Sequence, residues 1–528
     1  MNRFSFRSLW AVGFGLWLTS VVAAADVFGS AERASLEGGA RVVTYEQFGA
    51  VGDGLTDDLP AIVKAHAFAN EQRLPVRSNP EATYHLGRRA LTAKIQTDTD
   101  WSTSRFIIDD SQSVEDNKLS LFVVESRLQP VPLTIERLRV GQTELGVKPE
   151  NDLFVIVENE HRRVFIRKGR NANRGTVQSE ALVVRRDGRI EGEIQWDYDT
   201  ITRVTATPMD ADTLTVRGGV FVCIANRMKQ AQGYNYWYRN IKIARSNTVV
   251  DGVSYEVVGE TDFGHPYQGF LHAERVANIT FRNCQISPHK WYETIGAAGE
   301  PVPMGTYGYG ANFVVNFTMK GCRMGDIHDR SRWGVAGSNF MKNVLIEDCV
   351  LSRIDVHQGV AGFYTIRRST LGHAGIKAIG RGELLVEDSA VYSDNLITFR
   401  PDYGATWDGN VTIRNSRWIP PANARRAPVM FSVQNDGTHD FGYVCSMPRT
   451  IRIEGLEIDD SRQPADKAGV VFFDSPTGAL AGGEVAFPYR ATETIEVRGL
   501  RTTSGIEPRL SENQQVLAKM PTQVRVTR

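Results

Sequence analysis

The sequence predicts an all-β chain wound as a single-stranded parallel β-helix, with a capping helix near its N-terminus and an antiparallel β-rich insertion before the main coils. Three observations predict it. A strand-like pattern recurs from residue 240 onward, small side chains keep one slot in successive repeats, and residues 146–222 switch to hairpin texture.

The recurring pattern is apolar residues at alternate positions, then Cys, Ser or another small residue, then a further apolar one. It reads "NIKIARSNT" from Asn240, "NITFRNCQI" from Asn278, "NFTMKGCRM" from Asn316 and "NVLIEDCVL" from Asn343. It continues as "FYTIRRSTL" from Phe363, "ELLVEDSAV" from Glu383 and "NVTIRNSRW" from Asn410, then more loosely from Thr450 and Thr494. Such alternation turns one face inward and the other outward, as in a strand. The starts lie 38, 38, 27, 20, 20, 27, 40 and 44 residues apart. A propeller blade needs roughly forty residues for its four strands, so the 20-residue steps exclude one. A strand returning at that interval builds a solenoid, in which each coil buries its face on the next.

Cys284, Cys322 and Cys349 share one slot in three repeats, and Ser369, Ser389 and Ser416 then take it over. An in-line stack lacks the geometry of a metal site. These side chains are therefore read as small core groups at a bend. Five cysteines are also an odd number for a disulfide framework.

Residues 1–25 have the form of a secretory signal: Arg3 and Arg7, an apolar run from Leu9 to Val22, then "AAAD", with cleavage expected between Ala25 and Asp26. The run is short for a membrane span, so a secreted or periplasmic location is expected, with no membrane association after cleavage. Without Arg3 and Arg7, 59 basic side chains face 61 acidic ones. That balance steers the protein toward neither nucleic acid nor an anionic membrane.

Residues 26–145 are read as the N-terminal cap and first coils, 223–510 as the main coils and 511–528 as a C-terminal tail. In "YEQFGAVGDGLTDDLPAIVKAHAFAN", Gly52 and Gly54 bracket a turn, and Asp57 or Asp58 can cap the helix that follows. Leu59, Ile62, Val63 and Ala67 would give that helix an apolar face to plug the open end of a solenoid. The stretch resembles the "FGAxGDGxTDDxxAI" opening of the pectate-lyase-like right-handed β-helix superfamily, which includes phage tailspikes and polygalacturonase-like hydrolases. The resemblance implies right-handed coils. In the insertion, "RRDGRI" places an Asp-Gly turn between alternating runs, as in a hairpin.

Ionisable residues return to one part of the coil. Counted from the small-residue slot, Asp326, His328 and Asp329 follow Cys322 at +4, +6 and +7; Arg353, Asp355 and His357 follow Cys349 at +4, +6 and +8. His373 and Lys377 follow Ser369 at +4 and +8, while Arg400 follows Ser389 at +11 with Asp402 just beyond. His289 and Lys290 stand at +5 and +6 after Cys284. In a solenoid the same offset means the same face. Tyr292, Trp333, Tyr403 and Trp407 fall in loops beside the column, where aromatic rings would suit the C–H faces of sugars. The expected substrate-binding set is thus His289, Lys290, Tyr292, His328, Trp333, Arg353, Lys377, Arg400, Asp402, Tyr403 and Trp407.

Two chemistries fit such a column. Glycoside hydrolysis by inversion needs two carboxylates about 6.5–9.5 Å apart, for which Asp326, Asp329 and Asp355 are available. A polysaccharide lyase or epimerase needs a base beside a cation that neutralises a uronate carboxylate; Arg353, His357, His373, Lys377 and Arg400 could serve. The stretch "IDVHQGVAGFYTIRRSTLGHAGIKAIGRGELLVEDS" resembles the polygalacturonase family between its Asp-Asp and Gly-His-Gly motifs. That resemblance implies a catalytic role for Asp355 and His373, with Asp326 or Asp329 as the acidic partner. It places glycoside hydrolysis first and lyase or epimerase second; with His357 added from the column, the expected catalytic residues are Asp326, Asp329, Asp355, His357 and His373. A non-catalytic glycan-binding spike is the rival from another class. No cofactor or metal is expected for hydrolysis, Ca2+ being admitted only for a lyase. The partner is a polysaccharide or oligosaccharide, and the chain a monomer or homotrimer.

Overall fold

A computed structural model describes residues 42–111, 114–225, 234–422, 427–464, 469–474, 485–512 and 523–527. The expected leader, residues 1–25, lies outside these. Among the described residues the chain is all-β apart from one α-helix, Leu59–Gln72, and short 3-10 turns. A sheet of 30 strands dominates.

Its strands pair in parallel, coil on coil. Ile279 opposes Phe317, which opposes Val344, and the line runs on through Tyr364, Leu384, Val411, Ile451 and Ile495. All of these side chains are buried. Each is worth about 1.5–3 kcal/mol relative to exposure, so a coil is stable only against its neighbours. The first expected repeat needs correction. Thr248, not Ile241, opposes Ile279, while Ile241–Ala244 pairs with the start of Leu271–Arg282. Two strands of one coil share the same alternation, so the pattern alone could not tell them apart.

The small-residue slot is buried and its cysteines are free thiols. Ser369 Oγ accepts from Cys349 N at 3.0 Å, Ser389 Oγ from Ser369 N at 3.1 Å, and Ser416 Oγ from Ser389 N at 3.2 Å, tying each coil to the next. A second column is an asparagine ladder. Asn278, Asn316 and Asn343 each donate Nδ2 to the Oδ1 of the preceding rung, at 2.7, 2.8 and 3.0 Å, starting on Asn247. All four sit at positive φ, which asparagine tolerates better than most residues. Gly362 ends the column: its φ is +78°, and a Cβ there would lie 2.3 Å from Asn343 Oδ1.

The N-terminal motif folds as a staple. Asp58 occupies the N-cap position without capping; its carboxylate accepts from Val51 N at 2.7 Å and Gly52 N at 3.2 Å. Asp57 Oδ1 takes Leu59 N at 3.2 Å and Gly87 N at 3.0 Å, joining turn, helix and a later strand end. The helix buries Leu59, Ala61, Ile62, Ala65, His66, Phe68 and Ala69, whereas Val63 is half-buried and Ala67 exposed. The inward face is thus rotated from the expected one, because His66 lies inside, its Nε2 2.9 Å from Tyr45 Oη.

Burial pushes His66 and His265 down to about 3 and His272 to about 4. Unfolded, each titrates near 6.5, so the unfolded chain binds more protons below that value. The stability these neutral imidazoles contribute is full above about pH 6.5 and is lost as pH falls toward their folded values. Thermal midpoints should therefore decline from about pH 6.5 downward; a flat profile to about pH 5 would contradict this.

The insertion is a four-stranded antiparallel sheet of Leu153–Val164, Thr176–Val184, Ile190–Glu191 and Arg203–Pro208. Gly188, at φ +92°, makes the Asp-Gly turn, its N donating to Arg185 O at 2.8 Å. The expected bounds of 146–222 shift. Val131, Leu138 and Glu144 bridge to Ala206, Tyr198 and Arg189, and Ile135 and Leu138 enter this sheet's core. Leu214–Ile224 instead pairs in parallel with Thr99–Asp109, inside the stack. Alternating "TLTVRGGVFV" fits a hairpin strand and a stacked strand equally. Within the expected tail 511–528, Gln523–Thr527 adds a further parallel strand against Thr494–Arg498. A buried ion pair, Glu180 Oε1 to Lys342 Nζ at 2.6 Å, and Arg381 Nε to Glu193 Oε1 at 3.0 Å pin the insertion to the coils.

Candidate functional site

The strand Val350–Arg367 carries "SRIDVHQGV". Strand alternation separates Ile354 and Val356, which are buried apolar residues, from Arg353, Asp355 and His357 on the other face. Parallel register builds the rest. Asp355 is opposed by Gly337 on one side and by Lys377 on the other, with Thr398 next to Lys377. Neighbouring rungs are about 4.8 Å apart, so Asp355 and Lys377 stand side by side. Gly337 is required: a Cβ there would lie 2.3 Å from Tyr307 Cδ1.

A cavity of about 420 Å³ opens over this column. Arg353, His357, Lys377, Arg400 and Asp402 line it, with Tyr234, Tyr236 and Trp333 from loops, Pro303 and Tyr307 from strands, and Arg167 from the insertion. Asp355 lies beneath, fully buried. Its Oδ1 accepts from Arg400 Nη1 at 2.7 Å, and its Oδ2 is shared by Arg353 Nη2 and His357 Nε2, the latter at 3.2 Å. Asp402 is held by Arg400, through Nε at 3.0 Å and Nη2 at 2.8 Å, and by Arg167 Nε at 2.7 Å. The Arg353 guanidinium stacks on Trp333 at 4.6 Å; Arg167 and Arg400 lie over the Tyr403 ring at 5.2 and 5.5 Å. Arg400 itself has a φ of +31°, a strained conformation for a non-glycine residue, which its bonds to two aspartates hold in place.

The electrostatics follow from this packing. Burial alone would raise the Asp355 carboxyl, but Arg353 and Arg400 outweigh it and hold the group well below the usual range. Asp402 is likewise raised by burial and brought below its ordinary value by Arg400 and Arg167. Both carboxylates are ionised and occupied. Lys377 is pushed down to about 8, first by the charge of Arg353 and then by burial. Burial also lowers His357, against the opposing pull of Asp355. Burial lifts Tyr307 to about 12. The cavity thus gathers four cations around two committed carboxylates, with a neutral imidazole among them.

The other expected site residues lie elsewhere. Asp326, His328 and Asp329 are exposed, and none lines the cavity; His328 packs edge-on against Tyr392, and Asp329 accepts from Ser331. The turn after the strand Arg323–Met324 carries them outward, so equal offset did not give a shared pocket. His373 lines an adjoining cavity with Trp291, Arg330 and Arg332, which meets the first at Pro303, Trp333 and Arg353. His289 is buried, its Nε2 2.8 Å from Tyr255 Oη and its Nδ1 3.2 Å from Glu260. Tyr292 donates to the same Glu260 at 2.9 Å and is also buried. Lys290 faces Asp262 at 3.7 Å. Trp407 is a core residue whose Nε1 donates to Asn410 O at 3.1 Å. Tyr403 is buried as the wall on which the arginines rest. His289, Tyr292 and Trp407 are therefore structural, not substrate-binding, because burial leaves no face for a ligand. Sequence reasoning missed Arg167 and Tyr236; Arg167 stands 235 residues from its partner Asp402, and no local pattern marks it.

No family model matches the chain. A capsule KL64-specific depolymerase of a Klebsiella phage is 23% identical over 271 residues, 46% of this chain. The chain spans only 23% of that relative's length. Among solved structures, the tailspike of Pseudomonas phage phi297 matches over 92% of this chain and 84% of its own, at 14% identity and a TM-score of 0.50. The tailspike of Pseudomonas phage LKA1 matches over 91% of this chain and 84% of its own, at 14% identity and a TM-score of 0.47. The likeness to the phi297 tailspike establishes a shared fold, in keeping with the N-terminal motif.

Proposed function

We propose that the chain is an exported enzyme, its stack a right-handed single-stranded β-helix, that binds an acidic polysaccharide and cleaves it by β-elimination at a uronate. One observation carries the reading: cations and a neutral imidazole, paired with an ionised aspartate beneath it, converge at one cavity whose carboxylates are all taken up by arginines. A hydrolase needs a protonated carboxyl to serve as acid. Asp355 and Asp402 are both held ionised, and Asp326 and Asp329 lie outside the cavity. The geometry therefore favours the lyase over the hydrolase. The depolymerase similarity supports a polysaccharide as substrate.

The arginines and Lys377 neutralise the uronate carboxylate and acidify the adjoining C5 proton. Ionised Asp355 accepts from His357 Nε2–H, which leaves Nδ1 as the base. His357 Nδ1 takes the C5 proton, the C5–H electron pair forms the C4–C5 double bond, and the C4–O4 bond breaks. Lys377, whose proton is loosely held, supplies it to the departing O4. Solvent then takes the proton from His357 and gives one back to Lys377, restoring both groups. Calcium does not fit this cavity, because its two carboxylates are already bonded to guanidinium groups; arginine does the neutralising instead.

The test is a panel of acidic and neutral polysaccharides assayed together for reducing ends and for the ultraviolet absorbance of an unsaturated uronate. Both signals should rise with an acidic member. Reducing ends without absorbance would overturn the lyase in favour of the hydrolase, and glycan binding with neither signal would favour the spike. The pH profile should be bell-shaped. Its alkaline limb should fall near the value of about 8 at which Lys377 loses its proton, and its acid limb below the ordinary histidine value, where His357 becomes charged.

A further inference from the structure

A second cavity, of about 390 Å³, opens where the insertion meets the coils and shares no lining residue with the first. Phe165, Trp196 and Tyr443 supply its aromatic surface; its charged groups are Arg162, Arg381 and Arg490 with Asp197 and Asp408. Phe165 packs edge-on against Trp196 at 5.7 Å and against Tyr443 at 5.1 Å. It also meets Tyr403 at 6.2 Å, the ring on which Arg167 and Arg400 rest in the first cavity. One aromatic wall thus backs both sites.

The aromatic groups are fixed. Tyr443 Oη donates to Tyr403 O at 2.6 Å, and Tyr443 and Phe165 are held between the insertion and the coils. Arg381 is fixed as well, donating Nη1 to Gln195 O at 2.8 Å and facing Glu193 at 3.0 Å and Asp408 at 4.0 Å. Arg162 is exposed and has no ion-pair partner among the described residues. The size falls within the ~300–1,000 Å³ of small-molecule sites. A partly exposed indole beside planar guanidinium and carboxylate groups suits a pyranose ring, whose C–H face stacks on the π surface while its hydroxyls meet the charges. The free Arg162 adds attraction for an acidic chain.

We infer that this cavity is a second, non-catalytic glycan site, which holds the same acidic polysaccharide away from the bond being cut; this rests on the acidic-polysaccharide reading of the first cavity. Occupying both sites raises overall affinity without changing the chemistry, since the second contact becomes intramolecular.

The test uses the full chain with His357→Ala, so that bound polymer stays intact, over immobilised polygalacturonate, alginate, hyaluronan and xanthan. At least one should be held, and adding Trp196→Ala should weaken retention by about tenfold or more. Val444 lines the cavity at its mouth and is 61% exposed, so Val444→Trp blocks entry without disturbing the core and should act alike. An unchanged thermal midpoint in both variants ties the loss to the site. Retention within about twofold of the His357→Ala parent in both variants, or no polymer held by that parent, would overturn the inference. Failure of the cleavage reading shows separately, as absence of unsaturated product from the unmodified chain.

Discussion

Replacing His357 with alanine should lower cleavage of the acidic polysaccharide by roughly 10²–10⁴-fold, the usual contribution of a positioned general base. His357 is suited to that task by three features. Burial keeps it neutral near pH 7, Asp355 fixes its tautomer through Nε2 at 3.2 Å, and its side chain keeps 21% of its surface exposed at the cavity. The rate loss should come with removal of the acid limb of the pH profile, which a structural role would not produce. The thermal midpoint should stay near that of the parent, because the buried pairs of Asp355 with Arg353 and Arg400 do not need the imidazole. A loss below about threefold, or an acid limb that survives, would remove His357 from the chemistry.

Asp355→Ala should destabilise the fold by about 3–5 kcal/mol, because it leaves buried cations without their counter-charge. Arg353, Arg400 and Lys377 all face the vacated position. The matched control is Asp326→Ala, an exposed change expected to stay within about 0.5 kcal/mol. Chemical denaturation of both variants measures the difference. Asp355→Asn keeps the shape and removes the charge. It also removes the group that holds the Lys377 proton on, so the alkaline limb of the rate profile should move to lower pH. Since the Asp355 carboxyl is depressed in the folded state, its stabilising effect is present above its unfolded value near 3.9 and is lost as pH falls through the folded one. A cost for Asp355→Ala below about 1 kcal/mol would mean that the arginines do not depend on it.

The coils were legible because alternation and a recurring small residue are local signals that a parallel stack repeats in register. The ladder from Ile279 to Ile495 and the Cys-to-Ser slot follow from them directly. The stretch "SRIDVHQGV" was legible too, since Arg353, Asp355 and His357 alternate along one strand. What sequence could not give is which offsets stay in the sheet and which leave it. Asp326, at φ +49°, turns the chain out of the strand, so Asp326, His328 and Asp329 leave the column that their numbering suggested. Conversely, His289 looks like a surface ligand in "SPHKWYE" and is buried on Tyr255 and Glu260. Arg167 belongs to the site only because the insertion folds back over the coils, a contact with no trace near residue 402. The charge balance of the cavity was therefore invisible: four cations around two occupied carboxylates is a property of packing, not of any motif.

The most direct measurement is the mass of the fragments formed in heavy-oxygen water. β-Elimination predicts that the two fragments together weigh what the parent polymer weighed, with an unsaturated sugar at one new end and no label taken up. Fragments that together gain one molecule of water, with the heavy oxygen at the new reducing end, would contradict it.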